Sequence, residues 1–269
     1  MSSNDPKIPS SRRRQRRRQS RFSGSLWLDV LAFATWGVLL LRYWIGGKLN
    51  LLIHPNYRWL VIVTGIALIG IAGFRALQLF QAYRQQRPIA TVSHVSLFPR
   101  GWSSTLLLTA AILGLTITPR AFTSQTALQR GVSDFLPITR SQPQTFRGST
   151  RPEDRTLVGW VRTLSVYPEP DNYIGQPVKV KGFVVYPPNA ELPAQYLLIA
   201  RFIVTCCAAD AYPVGLPVKL TKDRKEYPPD TWIEVKGQMI VEELNNQRQL
   251  TINATAIATI PEPENPYEY

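Results

Sequence analysis

Three long apolar stretches occupy the first 118 residues, and polar segments separate them. The first, residues 26–45, carries only two charges, Asp29 and Arg42, and both lie near its ends. A helix of about twenty residues spans the roughly 30 Å hydrocarbon core of a bilayer at about 1.5 Å per residue. The second stretch, residues 59–80, predicts another such helix. The third, residues 102–118, is richer in Ser and Thr and lies at the short limit for a spanning helix. The pattern therefore predicts two or three transmembrane helices.

Beyond residue 118 the apolar segments become short. Residues 119–155 are rich in Thr, Ser, Gln, Pro and Arg without sustained periodicity, so we predict a linker with one short helix around Ser133–Leu136. From residue 156 onward, brief apolar alternations are interrupted by Pro, Gly and Asn, which is typical of strands and turns. The predicted strands cover residues 157–166, 177–186, 196–204, 213–220, 232–241 and 249–260.

About six short strands within residues 156–269 favour a small closed β-barrel, of which the OB-fold is the commonest type. Gly182 and Gly237 each follow an alternating segment and would relieve crowding where a barrel strand bends or bulges. An open sandwich is the alternative. The predicted fold class is a membrane-anchored α + β protein, with two or three N-terminal transmembrane helices in residues 25–118 followed by a small all-β, OB-like barrel domain.

The positive charge of the chain is concentrated in its membrane part. Residues 1–118 contain 15 Lys and Arg against 2 acidic residues, whereas residues 119–269 contain 16 of each, so the net charge of +13 belongs to the first part. The densest basic run, residues 11–21, directly precedes the first apolar stretch, where such residues stay in the cytoplasm and meet anionic lipid headgroups. We therefore predict a disordered basic cytoplasmic tail over residues 1–24, membrane lipid as a partner, and no nucleic-acid binding.

The distribution of basic residues also predicts the orientation. The N-terminus carries eight, the loop between the first two apolar stretches carries two, and the region from Arg75 to the third stretch carries four, which places the N-terminus and the second loop in the cytoplasm. The first stretch is too long for a signal peptide and lacks a cleavage site, so the helices should be retained in the cytoplasmic membrane. If the third stretch spans, the C-terminal domain is extracytoplasmic, as we expect; if it is re-entrant or interfacial, the domain is cytoplasmic.

The apolar stretches contain little that could form an ion or substrate path. Asp29 and Arg42 lie near the interfaces, and His54 and His94 fall in loops, where a solvated histidine is more frequent than a ligand. Three helices without a buried charge are poor material for a complete transporter. We therefore predict an anchor, or a subunit that packs on a larger partner.

The densest candidate chemistry lies between two predicted strands, in the segment RFIVTCCAADAYP. Cys206 and Cys207 are the only cysteines, and adjacent residues can join only in a strained small ring, so a disulfide framework is excluded. Successive strand residues point to opposite faces, so both thiols can serve one site only if the chain turns here. Two thiolates suit a thiophilic species or a soft or borderline metal such as Zn or Cu(I), with Asp210 as an oxygen ligand and Arg201 lowering a thiol pKa.

A simpler interpretation of the same residues is structural. Cys206 and Cys207 would then be small buried hydrophobic residues at a strand end, and Asp210 would cap the turn through its carboxylate. The pair lacks the C-x-x-C spacing of zinc and redox motifs, and residues 156–269 contain no histidine.

The motif resembles the CCxAD signature of bacterial membrane proteins described as two-component permease subunits, the YcgQ-like family. Further segments agree with it, namely DNYIG at 171–175, WIEVKG at 232–237 and the C-terminal NPYEY. The likeness covers about residues 26–269 and implies a small subunit that pairs with a separate multi-helix permease, with no established substrate and no demonstrated catalytic activity. The resemblance makes Cys206, Cys207, Asp210 and Arg201 the candidate substrate- or metal-binding residues.

These observations predict a non-enzymatic accessory subunit of a membrane permease, whose β domain captures or gates a substrate or metal. The alternative is a membrane-anchored protein for thiol-based redox chemistry or metal delivery, which would use Cys206 and Cys207. A purely structural anchor is a third hypothesis. The sequence identifies neither the substrate nor a definite metal.

Overall fold

A computed structural model describes residues 10–85, 101–132, 151–187, 192–244 and 247–269, with side chains from residue 24 onward. The chain divides into two compact units. The helical unit comprises Met1–Leu49 and Asn56–Pro119, and the barrel unit comprises Asn50–Pro55 and Arg120–Tyr269. The barrel unit is therefore larger than the predicted domain of residues 156–269, because it also contains six residues from the first loop and the described part of the linker.

The helical unit contains α1 (Ser10–Ile45), α2 (Arg58–Arg84) and α3 (Trp102–Thr116). Two stretches, Gly24–Ile45 and Pro55–Arg84, are long and apolar enough to cross a membrane, as the sequence predicts. At 15 residues, α3 is an apolar helix of about 22 Å, shorter than these two.

Polar and small residues hold the three helices together. α2 runs antiparallel to α1, and a Cβ atom at Gly37 of α1 would lie 2.9 Å from the carbonyl oxygen of Gly65 in α2. α3 runs parallel to α1: Trp36 Nε1 donates to Leu107 O at 2.9 Å and Tyr43 Oη to Gly114 O at 2.5 Å. The hydroxyl of Ser104 donates to the Asp29 carboxylate in the same interface. Asp29, Trp36 and Tyr43 recur every seven residues, so they share one face of α1.

The basic tail differs from its prediction. We expected disorder over residues 1–24, but α1 already begins at Ser10 and continues without a break into the apolar stretch. Arg and Gln are good helix formers, and extending an existing helix avoids the cost of nucleating a new one.

The described part of the barrel unit contains two α-helices, α4 (Ser124–Gln129) and α5 (Leu157–Val166), and six strands. β1 pairs with β4, then β5, β3 and β2 follow, and β2 pairs again with β1, which closes a five-stranded barrel. All these pairs are antiparallel except β3 with β5. A short β6 pairs in parallel with the end of β2. The prediction of a closed barrel is confirmed against the sandwich. The strands are β1 (Pro177–Val185), β2 (Tyr196–Ile203), β3 (Tyr212–Lys219), β4 (Trp232–Leu244), β5 (Gln247–Thr259) and β6 (Tyr267–Glu268).

The first predicted strand, residues 157–166, is wrong: this segment is the helix α5. The Thr156 side chain accepts a hydrogen bond from Gly159 N at 3.1 Å and thereby caps the helix. Leu157, Trp160 and Val161 follow helical spacing and are buried against the barrel. The other five predicted strands agree with β1 to β5 to within three residues at each end.

Part of the predicted linker packs as structure. Ala127 of α4 is fully buried, and Phe122 packs against Phe202 and Tyr267 at ring-centroid distances of 5.0 and 5.6 Å. The short helix predicted around Ser133–Leu136 lies outside the described residues.

β2 is buried on both faces, which explains its nearly continuous apolar sequence, whereas β1 alternates exposed and buried residues up to Lys181 and is buried on both faces from Gly182 onward. Val184 and Ile199 belong to the cluster that fills the barrel, whereas Phe183 and Phe202 belong to a second cluster that includes Phe122. A bulge occurs between Lys236 and Gly237, and a side chain at Gly237 would collide with the carbonyl of Asn253. The predicted role of Gly237 is confirmed.

Candidate functional site

The Cys-Cys motif forms the turn between β2 and β3. Cys206 is exposed and Cys207 is half-buried, and their Sγ atoms lie 3.6 Å apart. The turn therefore brings both thiols to one place, as a shared site requires. The simpler interpretation, in which both residues are buried hydrophobic side chains, is wrong for Cys206 because its side chain faces solvent.

Asp210 stabilises this turn through its carboxylate. It ends a single 3-10 turn, Ala208–Asp210, and its oxygens accept hydrogen bonds from Thr205 N at 3.2 Å and Cys206 N at 2.7 Å. Partial burial alone would raise the pKa of Asp210, but hydrogen bonds from the Cys206 thiol and from backbone N–H groups outweigh it and lower the pKa. Asp210 is thus an anionic cap, which confirms the predicted capping role.

The anionic cap determines the protonation of the neighbouring thiol. The hydrogen bond to Asp210, followed by that to Cys207, raises the pKa of Cys206 to about 11. At neutral pH Cys206 therefore carries its proton, and a bare thiolate nucleophile is disfavoured.

Arg201 is engaged elsewhere, so its predicted role of lowering a thiol pKa is wrong. Its Nη1 lies 3.2 Å from Glu268 Oε1, and the side chain is only 12% exposed. Nε and Nη2 donate to the carbonyl oxygens of Pro266 and Asn265 at 3.3 and 3.1 Å, and the guanidinium lies 5.4 Å from the ring centroid of Trp232. Arg201 therefore holds the C-terminal segment, including β6, against β2.

Residues 50–55, which connect α1 to α2 in the chain, pair with the cysteine turn. Ile53 forms an antiparallel bridge with Cys207. On either side of it, His54 N donates to Cys206 O at 3.0 Å and Ala208 N donates to Leu52 O at 2.8 Å. Sequence reasoning assigned His54 to a solvated loop and missed this pairing. The only available signal was the apolar run Leu51-Leu52-Ile53, which is unusual for an exposed loop.

Two further segments reach the turn. Arg130, which follows α4, donates from Nη1 to the carbonyl oxygen of Ala211. Tyr269, at the end of the chain, packs edge-on against the His54 ring at 4.5 Å between centroids and donates from its hydroxyl to Asn265 Oδ1 at 2.7 Å. The turn is thus supported by the first loop and the former linker, and the C-terminal residue packs on the first loop. No sequence pattern links these segments to one another.

Among the described residues, the predicted metal site has fewer ligands than a closed zinc site needs. Within the described ranges, no group of three or more His, Cys, Asp and Glu side chains is placed to hold a metal ion. The oxygens of Asp210 already accept backbone hydrogen bonds, so the thiols of Cys206 and Cys207 are the remaining candidate ligands of this set. Metal binding by Cys206, Cys207 and Asp210 stays a prediction.

Residues 153–269 match the family model described as the DUF1980 C-terminal domain. The matched region runs from just before α5 to the last residue, so it contains Cys206, Cys207, Asp210, Arg201 and the C-terminal segment. The helices of the helical unit and residues 50–55 lie outside it. A search of curated proteins finds no match to the chain. The domain match is consistent with the resemblance to the YcgQ-like proteins.

Proposed function

We propose that this protein is a membrane-anchored accessory subunit of a permease, whose barrel domain captures a thiophilic substrate at the Cys206–Cys207 pair and passes it to a multi-helix partner. One observation carries the proposal: the backbone of the cysteine turn is hydrogen-bonded to residues 52–54, which connect α1 to α2. The thiol pair thus contacts the segment of the chain that lies between the two long apolar helices in sequence.

The same pairing supports an extracytoplasmic barrel. The Arg-rich N-terminus belongs in the cytoplasm, so one crossing by α1 brings residues 50–55 to the outer side. Because these residues pair with Cys206–Ala208, the barrel domain belongs on that side as well. α2 returns the chain to the cytoplasm, and α3 must then cross outward.

The packing of α3 supports this third crossing. α3 runs parallel to α1 and contacts it from Asp29 to Tyr43, a length of about 21 Å. A helix of about 22 Å is short for a hydrocarbon core of roughly 30 Å, but local thinning and residues at its ends can compensate. In this topology α1 and α3 both run outward.

An accessory role fits the chemistry of the helical unit better than a complete transporter does. The acidic group within its described apolar stretches, Asp29, is paired with Ser104 in the α1–α3 interface. Along α2, large apolar side chains such as Ile66 and Phe74 are exposed, and Gly70 and Gly73 have open space around them. Such a surface suits lipid or the helices of a partner.

The proposal includes a finer assignment of the barrel as OB-like. Going round the closed sheet, the strands follow the sequence β1-β2-β3-β5-β4, with β3 and β5 parallel. This arrangement of a five-stranded barrel supports the OB type.

Thiol redox chemistry is the weaker alternative. A thiol that attacks a disulfide works best with a pKa near the ambient pH, whereas the pKa of Cys206 is raised to about 11. The raised pKa therefore disfavours attack by Cys206 on a disulfide.

The test of the proposed function is affinity purification of the tagged full chain from its native membrane after mild cross-linking. We expect a multi-helix membrane protein to co-purify with the wild type and equally with a Cys206→Ser/Cys207→Ser variant, because the helices mediate docking. Recovery of the chain without such a protein would overturn the accessory role.

The topology is tested separately with a membrane-impermeant maleimide at pH 8.5 to 9. We expect labelling of intact cells, and the double Cys→Ser variant serves as the control for other thiols. Labelling only after lysis would place the barrel in the cytoplasm and contradict the external capture of substrate.

A further inference from the structure

The distance between the two sulfurs limits the bond angle at any single atom that bridges them. At 3.6 Å, the Sγ atoms of Cys206 and Cys207 are far beyond the roughly 2.05 Å of a disulfide bond. One atom bound to both at about 2.3 Å, a typical metal–thiolate distance, would subtend an S–X–S angle of about 100°. The pair is therefore spaced to hold one bent, thiophilic centre without moving either side chain.

The sulfur separation disfavours a linear metal centre, and the number of ligands disfavours zinc. A linear two-coordinate centre such as Cu(I) would hold its sulfurs about 4.6 Å apart, at twice the same bond length. A tetrahedral zinc accommodates a separation near 3.8 Å but needs at least a third protein ligand. Among the residues that the structure describes, no third His, Cys, Asp or Glu completes such a set.

A pyramidal three-coordinate centre meets both conditions. Trivalent arsenic and antimony bind thiols with angles near 100°, and a hydroxyl group from solvent completes the third position. Cys206 is exposed and Cys207 half-buried, so the third position opens toward water. Two protein sulfurs are then a complete ligand set.

The turn also presents its sulfurs in a prepared arrangement. Hydrogen bonds to Asp210 and to residues 52 and 54 hold the backbone on both sides of the pair. Binding therefore orders little that is not already ordered, which favours affinity.

We propose, on the basis of the capture function above, that the substrate class of the Cys206–Cys207 pair is the neutral hydroxide of a trivalent group 15 element, such as arsenous acid. Two As–O bonds break and two As–S bonds form. Each leaving hydroxide takes the proton of one thiol and departs as water. The arsenic remains trivalent, the thiols are neither oxidised nor reduced, and the charge of the site is unchanged.

The experiment titrates the purified full-length protein in mild detergent with sodium arsenite, and in parallel with zinc chloride, under reducing conditions that exclude competing dithiols. We expect one arsenic per chain by native mass spectrometry, and protection of both cysteines from maleimide. Zinc should bind at least tenfold more weakly than arsenite.

Single-thiol variants provide the matched control. Cys206→Ser and Cys207→Ser each keep one sulfur in the same turn, and we expect each to lose about 10²- to 10⁴-fold in arsenite affinity because chelation becomes single-point attachment. Maleimide labelling of the remaining thiol and an unchanged unfolding transition would show that the turn persists. Equal arsenite affinity in either variant would overturn the proposal.

The outcomes also separate this inference from the proposed function. Tight zinc binding without arsenite binding would overturn the substrate class while leaving a capture site in place. Co-purification of the multi-helix partner does not depend on either probe, so its failure would count against the accessory role alone.

Discussion

The two units of this protein treat their apolar residues in opposite ways. In the barrel unit, large side chains such as Trp160, Phe202 and Ile252 are at most 1% exposed. In the helical unit, large apolar side chains such as Trp59 and Phe74 are exposed by half or more. In the most apolar stretch of α2, the buried share is 11%. Water drives apolar groups inward in the first unit, whereas the exposed apolar surface of the second is of the kind that lipid tails solvate. Burial therefore indicates stability in the barrel unit but helix–helix contacts in the helical unit.

The largest expected effect on stability comes from replacing a phenylalanine by alanine in the barrel unit, compared with the same replacement in the helical unit. Phe202 packs against Phe183 and Phe122, so Phe202→Ala should lower the free energy of unfolding of the barrel by about 3–5 kcal/mol. Phe74 of α2 is 62% exposed, and Phe74→Ala should change the free energy of unfolding by less than about 0.5 kcal/mol. Urea denaturation in mild detergent, followed by tryptophan fluorescence, measures both. Similar losses in the two variants would contradict the comparison.

The next largest effect concerns the contacts by which Arg201 holds the C-terminal segment against β2. Arg201→Met removes the partner of the mostly buried Glu268 and of two carbonyl oxygens, so we expect a loss of about 2–3 kcal/mol in the same assay. The exposed pair Lys222 and Glu226 provides the control, since Lys222→Met should cost at most about 0.5 kcal/mol. A loss below 1 kcal/mol for Arg201→Met would show that the segment is held by other contacts.

Glycines in the two units should respond with opposite signs. Gly237→Ala forces a Cβ atom against the carbonyl of Asn253 at the bulge and should destabilise the barrel by about 1–3 kcal/mol. Gly70 of α2 has open space around it, so Gly70→Ala should leave the helical unit intact or stabilise it by up to about 1 kcal/mol. Thermal unfolding followed by circular dichroism distinguishes the two, and a stabilised Gly237→Ala protein would argue against the bulge.

The smallest expected effect concerns the pKa of Cys206, which depends on the charge of Asp210. Because Asp210 is the main cause of the raised pKa of Cys206, Asp210→Asn should lower that pKa and increase maleimide labelling at pH 7 by about tenfold for each pKa unit. The measurement is the pH profile of the labelling rate in a Cys207→Ser background, with and without Asp210→Asn. In the parent, the rate should still be rising above pH 9. A plateau at pH 8 would contradict the role of Asp210.

Local patterns of the chain already contain much of this architecture. The apolar stretches predict α1 and α2 because about twenty predominantly apolar residues in succession favour a helix long enough to cross a membrane. The alternation and turn residues after position 176 predict β1 to β5 to within a few residues. The segment 157–166 was misassigned because its apolar spacing fits a strand as well as a helix, and the cap at Thr156 decides between them.

In the candidate site, too, contacts between residues close in sequence were predictable, whereas contacts between distant residues were not. By itself, the sequence determined that Cys206 and Cys207 are adjacent and that Asp210 is near enough to cap their turn, because these are contacts within five residues. Only the tertiary structure decided that Arg201 faces Glu268 and that Ile53 pairs with Cys207. The physical reason is that such contacts join residues 67 and 154 positions apart in the chain, and no local pattern of polarity encodes which distant backbone will supply a hydrogen bond.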